Sequence, residues 1–488
     1  MPDRPSHVAL IGALALALSS CAALSAPKAV DGLTDDWTGR PACVDPAGDG
    51  SGVDVRAVWI RGDSERLTLR LELQHEIGLQ AGNALTLLID GDADPATGAA
   101  ADGVGAELVW TFGEREGALC RRGERTVDQS DVGLIQAPTV TSDEFEISFL
   151  RYAVDGTPIA PGPTVAVVVI DAGGPNGDRA PDEGPLSVAL GDAVPPGRPV
   201  RLDRDSPDDV RVLTWNVLFD GLFKRPAPFL RVLRAIDPDV ICFQEIWSHT
   251  ARQAADQVSL ALPGSTWYGE STSEGIIVSR YPLVDASPID EAGNYWALVD
   301  LPDDRYGVDL SVVSAHPPCC ENESGRQREL DGIAAWLRDL AEPGEREIPP
   351  GTPTVVAGDM NLVGGSRQLR TLLAGEIVDE RGFGPSRAPD WDGTPLADTW
   401  PRLAGGWDVF TWRDERSSFA PGKLDYIVYS DSVLRLGNAF VLATEKLPAE
   451  ALEAYGLRPA DTLDASDHLP VVADFTPVDG RSRREAVE

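Results

Sequence analysis

Between about Asp31 and Leu190, apolar and polar residues alternate with a period of two. LTLRLEL at 67–73 alternates over its whole length, FEISFL at 145–150 does the same, and TVAVVVID at 164–171 is apolar almost throughout. Successive side chains of a strand point to opposite faces. The first two segments therefore predict half-buried strands, and the third a strand covered on both faces. Clusters of Gly, Pro and Asp separate these short runs and helical periodicity is scarce, so 31–190 is expected to be an all-β sandwich. GDAVPPGRPVRLDRDSPDD at 191–209 is rich in proline, glycine and charge, which predicts a linker over 191–208.

Beyond the linker, from 209 to 477, the period changes. VLTW (212–215), DVICF (239–243), GIIVS (275–279), VDLSVVSA (308–315) and TPTVVA (352–357) predict strands, as do LDYIVYS and LPVVADF near the end. PAPFLRVLRAI at 226–236 carries a helical stripe of Phe229, Leu230, Leu233 and Ile236. A second helix is expected over 326–341, with Leu330, Ile333, Ala334, Leu337 and Leu340 inward and Ser324 and Gln327 as a capping box. Strands mixed with amphipathic helices put this region in a layered α/β class. A chain of 488 residues is long for one core, and two domains are the natural expectation.

The first 26 residues read as an address. Arg4 precedes the apolar run VALIGALALAL at 8–18, too short to span a bilayer and suited to the core of an export signal. LSSC at 18–21 resembles the lipobox of bacterial lipoproteins, which implies acylation of Cys21 and attachment to a membrane; the alternative is a plain secretory signal cleaved after Ala26. Export makes disulfides permissible. Cys43 and Cys120 are candidates to pair, Cys242 lies in an apolar run as a core thiol, and the adjacent Cys319 and Cys320 suggest a vicinal disulfide. The net charge of −36 changes the picture of partners, because such a surface repels nucleic acid and anionic membrane.

Candidate chemistry gathers where the strands of 209–477 meet loops. Asn216 follows VLTW, Glu245 follows DVICFQ, His316 follows VDLSVVSA, and Asp359 and Asn361 follow TPTVVA; Asp425 precedes YIVYS, and Asp467 and His468 precede LPVVADF. Each has a bland reading as a turn residue, a cap or a satisfied surface histidine. Together they are the residue types that phosphate-ester hydrolysis requires. The transition state spreads negative charge over equatorial oxygens. A hard cation such as Mg²⁺ takes carboxylate oxygens, and a histidine oriented by a carboxylate moves or donates a proton.

WN (215–216), QE (244–245), SAH (314–316), GDMN (358–361), LDY (424–426) and SDH (466–468), in that order, resemble the endonuclease/exonuclease/phosphatase superfamily, which includes deoxyribonuclease I-like nucleases, bacterial sphingomyelinases and inositol-phosphate phosphatases. The resemblance covers 209–477. It implies a four-layer α/β sandwich, two packed sheets flanked by helices, with the site at one edge. It further implies Glu245 as the main Mg²⁺ ligand (Mn²⁺ being a substitute), with Asn216 and Asp467 at the metal. By the same resemblance Asp359 positions or activates the nucleophile and Asn361 steadies the transition state. His468, oriented by Asp425, is the base or phosphate contact, and His316 is acid or oxyanion donor. Leu218 stands where some repair nucleases of the family have Asp, which points away from that branch.

VDGLTDDWTG (30–39) and LLIDGDADPATG (87–98) are similar to family 9 carbohydrate-binding-like sandwich modules, which implies a glycan as a partner of the first domain. Asp90, Asp92 and Asp94 invite Ca²⁺. An EF-hand loop, however, needs Gly sixth and Glu twelfth, where this chain has Pro95 and Ala101, and a solvated acidic turn is the preferred reading. The substrate stays open among lipid headgroup, sugar phosphate and nucleic acid. Residues 209–477 hold 23 Lys plus Arg against 42 Asp plus Glu, which disfavours a polymer of phosphates, although Arg326, Arg367, Arg370 and Arg387 are candidates to line a groove. The expectation is an exported Mg²⁺-dependent phosphoesterase; the alternatives are a secreted nuclease and a non-catalytic envelope protein that binds glycan.

Overall fold

The computed structural model describes residues 30–50, 52–121, 123–171, 177–191, 197–271, 274–344, 346 and 348–478. The expected leader and Cys21 lie outside them. Among the described residues no helix is long and apolar enough to cross a membrane.

The chain is rich in β-structure, with several sheets and few helices, and its strand-only part comes first. Arg66–Ile77 pairs with Val55–Gly62 on one side and Ser142–Leu150 on the other; Thr164–Asp171 pairs with Leu85–Asp90 in a second sheet. Alternation sends Leu67, Leu69, Leu71, Phe145, Ile147 and Phe149 between the two sheets, against Leu85, Leu87, Ile89, Val165, Val167 and Val169. The run at 164–171 is apolar on both faces for a visible reason. Its outer Ala166 and Val168 lie with Leu88 under Val104 and Ala106, on the small hairpin Ala99–Ala101/Val104–Ala106.

The alternation at 145–150 predicts a wet outer face, and here the structure differs. Glu146 is fully buried, accepting hydrogen bonds from Asp31 N (2.8 Å), Gly32 N (2.7 Å) and Trp37 Nε1 (2.6 Å). The DG…DW opening is thus a lid over the outer face, and burial pushes the Glu146 carboxyl up to about 8. Cys43 and Cys120 do not pair. Cys43–Val44 is an edge strand of the first sheet, whereas Cys120 follows Glu116–Leu119 in the second and places its Sγ on Ala118 O. The linker expectation also needs correction for 197–208. Leu202 is buried in the second region's core, and Arg204 donates to Asp209 O and pairs with Asp239, so this stretch is stitched down.

In the later part, Val210–Asn216 runs parallel to Val240–Gln244 and antiparallel to Val471–Pro477, while Thr354–Asp359 runs parallel to Leu310–Ala315 and antiparallel to Asp425–Tyr429. Val210, Val212, Val240 and Cys242 meet Val312, Val355, Ala357 and Ile427 between these two sheets. The opposite faces are covered by helices. Leu213, Trp215 and Phe243 pack on Pro226–Ile236 and Ala251–Ala261, and Val313, Val356 and Val428 pack on Glu323–Ala341. Burial on both faces is why these strands read as unbroken apolar runs. Cys242 is a core thiol, pushed up to about 12 by burial. The helix expected from 326 begins at Glu323, because Asn322 accepts from Gly325 N as its cap; the Gln327 side chain instead bonds Asp331 and Thr371.

The two parts are fastened together beside the GDMN motif. Val140 is buried in the same core as Met360, Leu362 and Tyr426. Thr139 Oγ1 donates to Leu362 O (2.7 Å), Thr141 N donates to Gly364 O (2.9 Å), and Ser366 N donates to Thr141 Oγ1 (2.8 Å). The loop that continues from Asn361 is therefore held by a strap from the strand-only part. Thr139→Val keeps the shape and deletes the donor; leaving the Leu362 carbonyl short of a partner is expected to cost about 1–3 kcal/mol, read as a lower urea midpoint.

Candidate active site

The strand directions bring the polar ends to one rim. Asn216 and Glu245 follow the carboxyl ends of parallel neighbours, and His468 precedes a strand antiparallel to them. In the other sheet His316 and Asp359 follow parallel neighbours, and Asp359 lies directly across from Asp425 in register. Gly358 permits the close approach of those parallel neighbours, since a Cβ there would stand 1.9 Å from Ala315 O.

Asp359 is the centre. It is 1% exposed, and its Oδ2 receives Asn216 Nδ2 at 3.0 Å, with His316 Nε2 at 3.4 Å and His468 Nε2 at 3.5 Å. Each imidazole has a second carboxylate behind it. His468 Nδ1 is hydrogen-bonded to Asp425 Oδ2 at 2.9 Å, and His316 Nδ1 lies 3.0 Å from Glu274 Oε2, an ion-pair distance whose approach falls outside hydrogen-bond alignment. Burial opposes charge on both rings, but the carboxylates win, holding His468 up to about 10 and His316 well above its ordinary value. Burial likewise opposes charge on Asp359, and the two imidazolium groups and Asn216 hold it down to about 2. The site thus presents an ionised carboxylate between two cationic donors.

Asn216 Nδ2 also donates to Glu245 Oε1 at 3.0 Å, which links Glu245 to Asp359. Glu245 has φ +63°, Asn361 has φ +49°, and Leu218, Phe219 and Asp220 form three consecutive left-handed residues at +49°, +51° and +61°. Non-glycine residues of this kind cost of order 1–2 kcal/mol each, a strain that marks functional sites. Here local bonds hold it: Phe219 N donates to Glu245 Oε2, and Asp220 N to Glu245 O. Asn361 N donates to Asp359 Oδ1, and its Nδ2 donates to Pro317 O, tying it to the loop after His316.

The eight strand-end positions thus divide. Asn216, His316 and His468 meet at Asp359, Asp425 joins through His468, Glu245 joins through Asn216, and Asn361 contacts Asp359 through its backbone. Asp467 stands apart: its Oδ2 accepts from Trp412 Nε1 at 3.1 Å, and it is outside the trio Asp359, Asp425 and His468 whose ligand atoms lie within 4.8 Å of one another. Arg326 does not line a groove. It is fully buried, bonding Gln368 Oε1, Pro318 O and Cys320 O, and so braces the loop in which Cys319 and Cys320 form a vicinal disulfide. Glu274 is missed by the strand-end reading, though it precedes GIIVS much as Asp425 precedes YIVYS. Ser466 Oγ donates to Asn216 O, and Trp215 Nε1 to His468 O, so the WN and SDH motifs are sewn to each other.

Paired sheets with these acid–base and oxygen-donor groups at one rim define a hydrolase of phosphate esters. The chain belongs to the endonuclease/exonuclease/phosphatase family, whose pattern matches residues 213–468. No curated protein matches the sequence. Among solved structures, it is similar to TDP2 of D. rerio complexed with a single-strand DNA product (17% identity, 55% of this chain and 99% of that one, TM-score 0.35). It is also similar to the human Nocturnin catalytic domain with bound sulfate (18%, 58% and 99%, 0.34) and to an AP endonuclease from Archaeoglobus fulgidus (15%, 54% and 98%, 0.35).

The turn of Asp90, Asp92 and Glu107 is the other acidic group foreseen in part. Its oxygens already accept from Asp94 N, Gly105 N, Gly91 N and Thr97 Oγ1, and Arg121 pairs with Asp92; Asp94 is not in the group. The turn is satisfied by its own chain.

Proposed function

We propose that this protein is an exported, lipid-anchored, metal-dependent phosphoesterase, with an all-β module over 31–190 and a four-layer catalytic domain over 209–477. The observation that carries the catalytic reading is the convergence of two histidine–carboxylate pairs on one ionised aspartate, Asp359. Glu245, joined to Asp359 through Asn216 Nδ2, would supply a carboxylate oxygen to a hard divalent cation such as Mg²⁺, with Mn²⁺ as a substitute, whereas Asn216 Oδ1 already accepts from Leu218 N and Asp467 is turned to Trp412. Bound at Glu245, the cation would neutralise phosphate charge and lower the pKa of a water. Asp359 accepts a hydrogen bond from the attacking water and takes its proton. His468, kept cationic by Asp425, donates to a non-bridging phosphate oxygen. His316, with Glu274 behind it, protonates the leaving oxygen as the P–O bond breaks, and Asn361 keeps the Asp359 loop in place.

The acidic surface favours a compact ester over DNA. Phe219, whose N donates to Glu245 Oε2, and Trp247, two residues after Glu245, are 60% and 53% exposed and offer an apolar platform for the non-phosphate part of the ester. Phe219→Ala with Trp247→Ala is expected to raise KM about tenfold with kcat nearly unchanged, since each lost aromatic contact removes about 0.5–1.5 kcal/mol of binding. The deciding experiment is hydrolysis of bis-p-nitrophenyl phosphate with Mg²⁺, Mn²⁺, Ca²⁺ or EDTA, followed by p-nitrophenyl phosphate, inositol phosphates, phospholipids and DNA at several salt concentrations. Metal-dependent turnover supports the proposal; salt-sensitive DNA cleavage as the main activity returns the nuclease reading. Silence on every substrate returns the non-catalytic glycan-binding reading.

A further inference from the structure

A second group of carboxylates lies in the strand-only part, remote in sequence from the catalytic motifs. Asp45, Asp49 and Asp178 each bring a carboxylate oxygen to within 4.8 Å of the others. Asp45 and Asp54 sit at the two ends of the connection from Cys43–Val44 to Val55–Gly62 in one sheet. Asp178 precedes Arg179–Ala180 at the edge of the other.

The decisive observation is what these side chains lack. Asp45 is 3% exposed, and its buried Oδ2 has no hydrogen-bond partner among the described residues; Asp54 is 2% exposed, with Oδ2 held by Gly48 N and a buried Oδ1 that likewise has none there. Asp178 is buried and, among the described residues, accepts from Val55 N (2.6 Å) and Arg179 N (2.7 Å) alone. Among the described residues no lysine or arginine pairs with any of the four. A buried carboxylate without a cation or donor costs several kcal/mol, and native structures seldom leave one so. The Asp90 turn is the internal contrast, since every carboxylate there has found donors. Burial, then the charges of Asp178, Asp182, Asp49 and Asp54, push Asp45 up to about 7.

We propose that Asp45, Asp49, Asp54 and Asp178 bind a Ca²⁺ ion that staples the two sheets of the strand-only part at one end. Three carboxylates from the connection at 45–54 and a fourth from the edge of the other sheet suit an ion that takes 6–8 oxygens in flexible geometry; Mg²⁺ demands a near-ideal octahedron and retains its waters. Bound Ca²⁺ supplies the counter-charge the cluster lacks and gives the orphan oxygens of Asp45 and Asp54 a partner. The role is structural and separate from phosphate-ester chemistry.

The test is thermal unfolding and Ca²⁺ titration calorimetry of the metal-stripped whole chain, beside Asp45→Asn, Asp49→Asn and Glu245→Ala. Ca²⁺ is expected to raise Tm equally in wild type and Glu245→Ala, because the increment does not come from the catalytic rim. Asp45→Asn is expected to lose it, and Asp49→Asn to weaken Ca²⁺ binding at least tenfold. Asp49 is exposed, so its variant keeps the test decisive should Asp45→Asn fail to fold. An unchanged Tm in wild type, equal increments in wild type and both cluster variants, or a Mg²⁺ response as large as that of Ca²⁺ would each overturn the proposal.

Discussion

Asp359→Asn is expected to lower kcat on a phosphate ester by about 10³-fold or more, with KM moving only a few-fold. The substitution keeps the shape of a side chain that is 1% exposed, so the sheet rim persists. What it removes is the acceptor at which three donors converge: Asn216 Nδ2 and the Nε2 atoms of His316 and His468. An amide cannot accept the proton of the attacking water, and that contribution alone is typically 10²–10⁴-fold. Nor does an amide bring the negative charge that keeps the two imidazolium groups cationic and aimed. Both losses fall on the transition state, which is why kcat carries them. Initial rates of p-nitrophenolate release over a range of substrate concentrations decide it. A kcat within tenfold of wild type would remove Asp359 from the chemistry.

The sequence made the rim legible because chemistry and packing coincide there. A strand buried on both faces has no use for a terminal Asp, Asn or His, so polar residues at the ends of VLTW, DVICF, VDLSVVSA and TPTVVA stand out against the apolar runs. Asp425 and His468 stand out in the same way at the starts of strands. Glu274 did not, because it lies within a polar stretch (ESTSEG, 270–275) in which one more Glu carries no signal; only the fold sets it 3.0 Å from His316 Nδ1. Arg326 failed in the opposite sense. Basic charge on an amphipathic helix reads as surface, yet this guanidinium is consumed by the carbonyls of Pro318 and Cys320 and by Gln368.

Long-range contacts account for the rest. Alternation at 145–150 correctly places Phe145, Ile147 and Phe149 inward, but periodicity cannot reveal that residues 31–37 return to cover Glu146. It is equally silent on the strap. Nothing local in Thr139, Val140 and Thr141 says that they continue the core of the later part, beside Met360 and Leu362. The strand-only part is thereby a support for the Asp359–Asn361 loop as well as a module of its own. The two segments are more than two hundred residues apart, a separation at which only tertiary structure speaks.

His468→Ala is expected to cost about 10²–10⁴-fold in kcat. The ring is positioned twice: Asp425 Oδ2 fixes Nδ1 at 2.9 Å, which turns Nε2 toward the Asp359 side of the site. Held up to about 10, it is a cationic donor throughout the neutral range, suited to the charge that grows on the phosphate oxygens. The backbone around it is independent of the ring, because Ser466 Oγ accepts from His468 N and Trp215 Nε1 donates to His468 O, so truncation leaves the loop in place. His316→Ala should cost less, since Nδ1 of His316 lacks the aligned hydrogen bond that Asp425 provides to His468. Because both rings act on one aspartate, the double variant should fall short of the product of the single losses. Losses that multiply instead would mean that the two histidines serve separate steps, and the reading of Asp359 as their common centre would have to be given up.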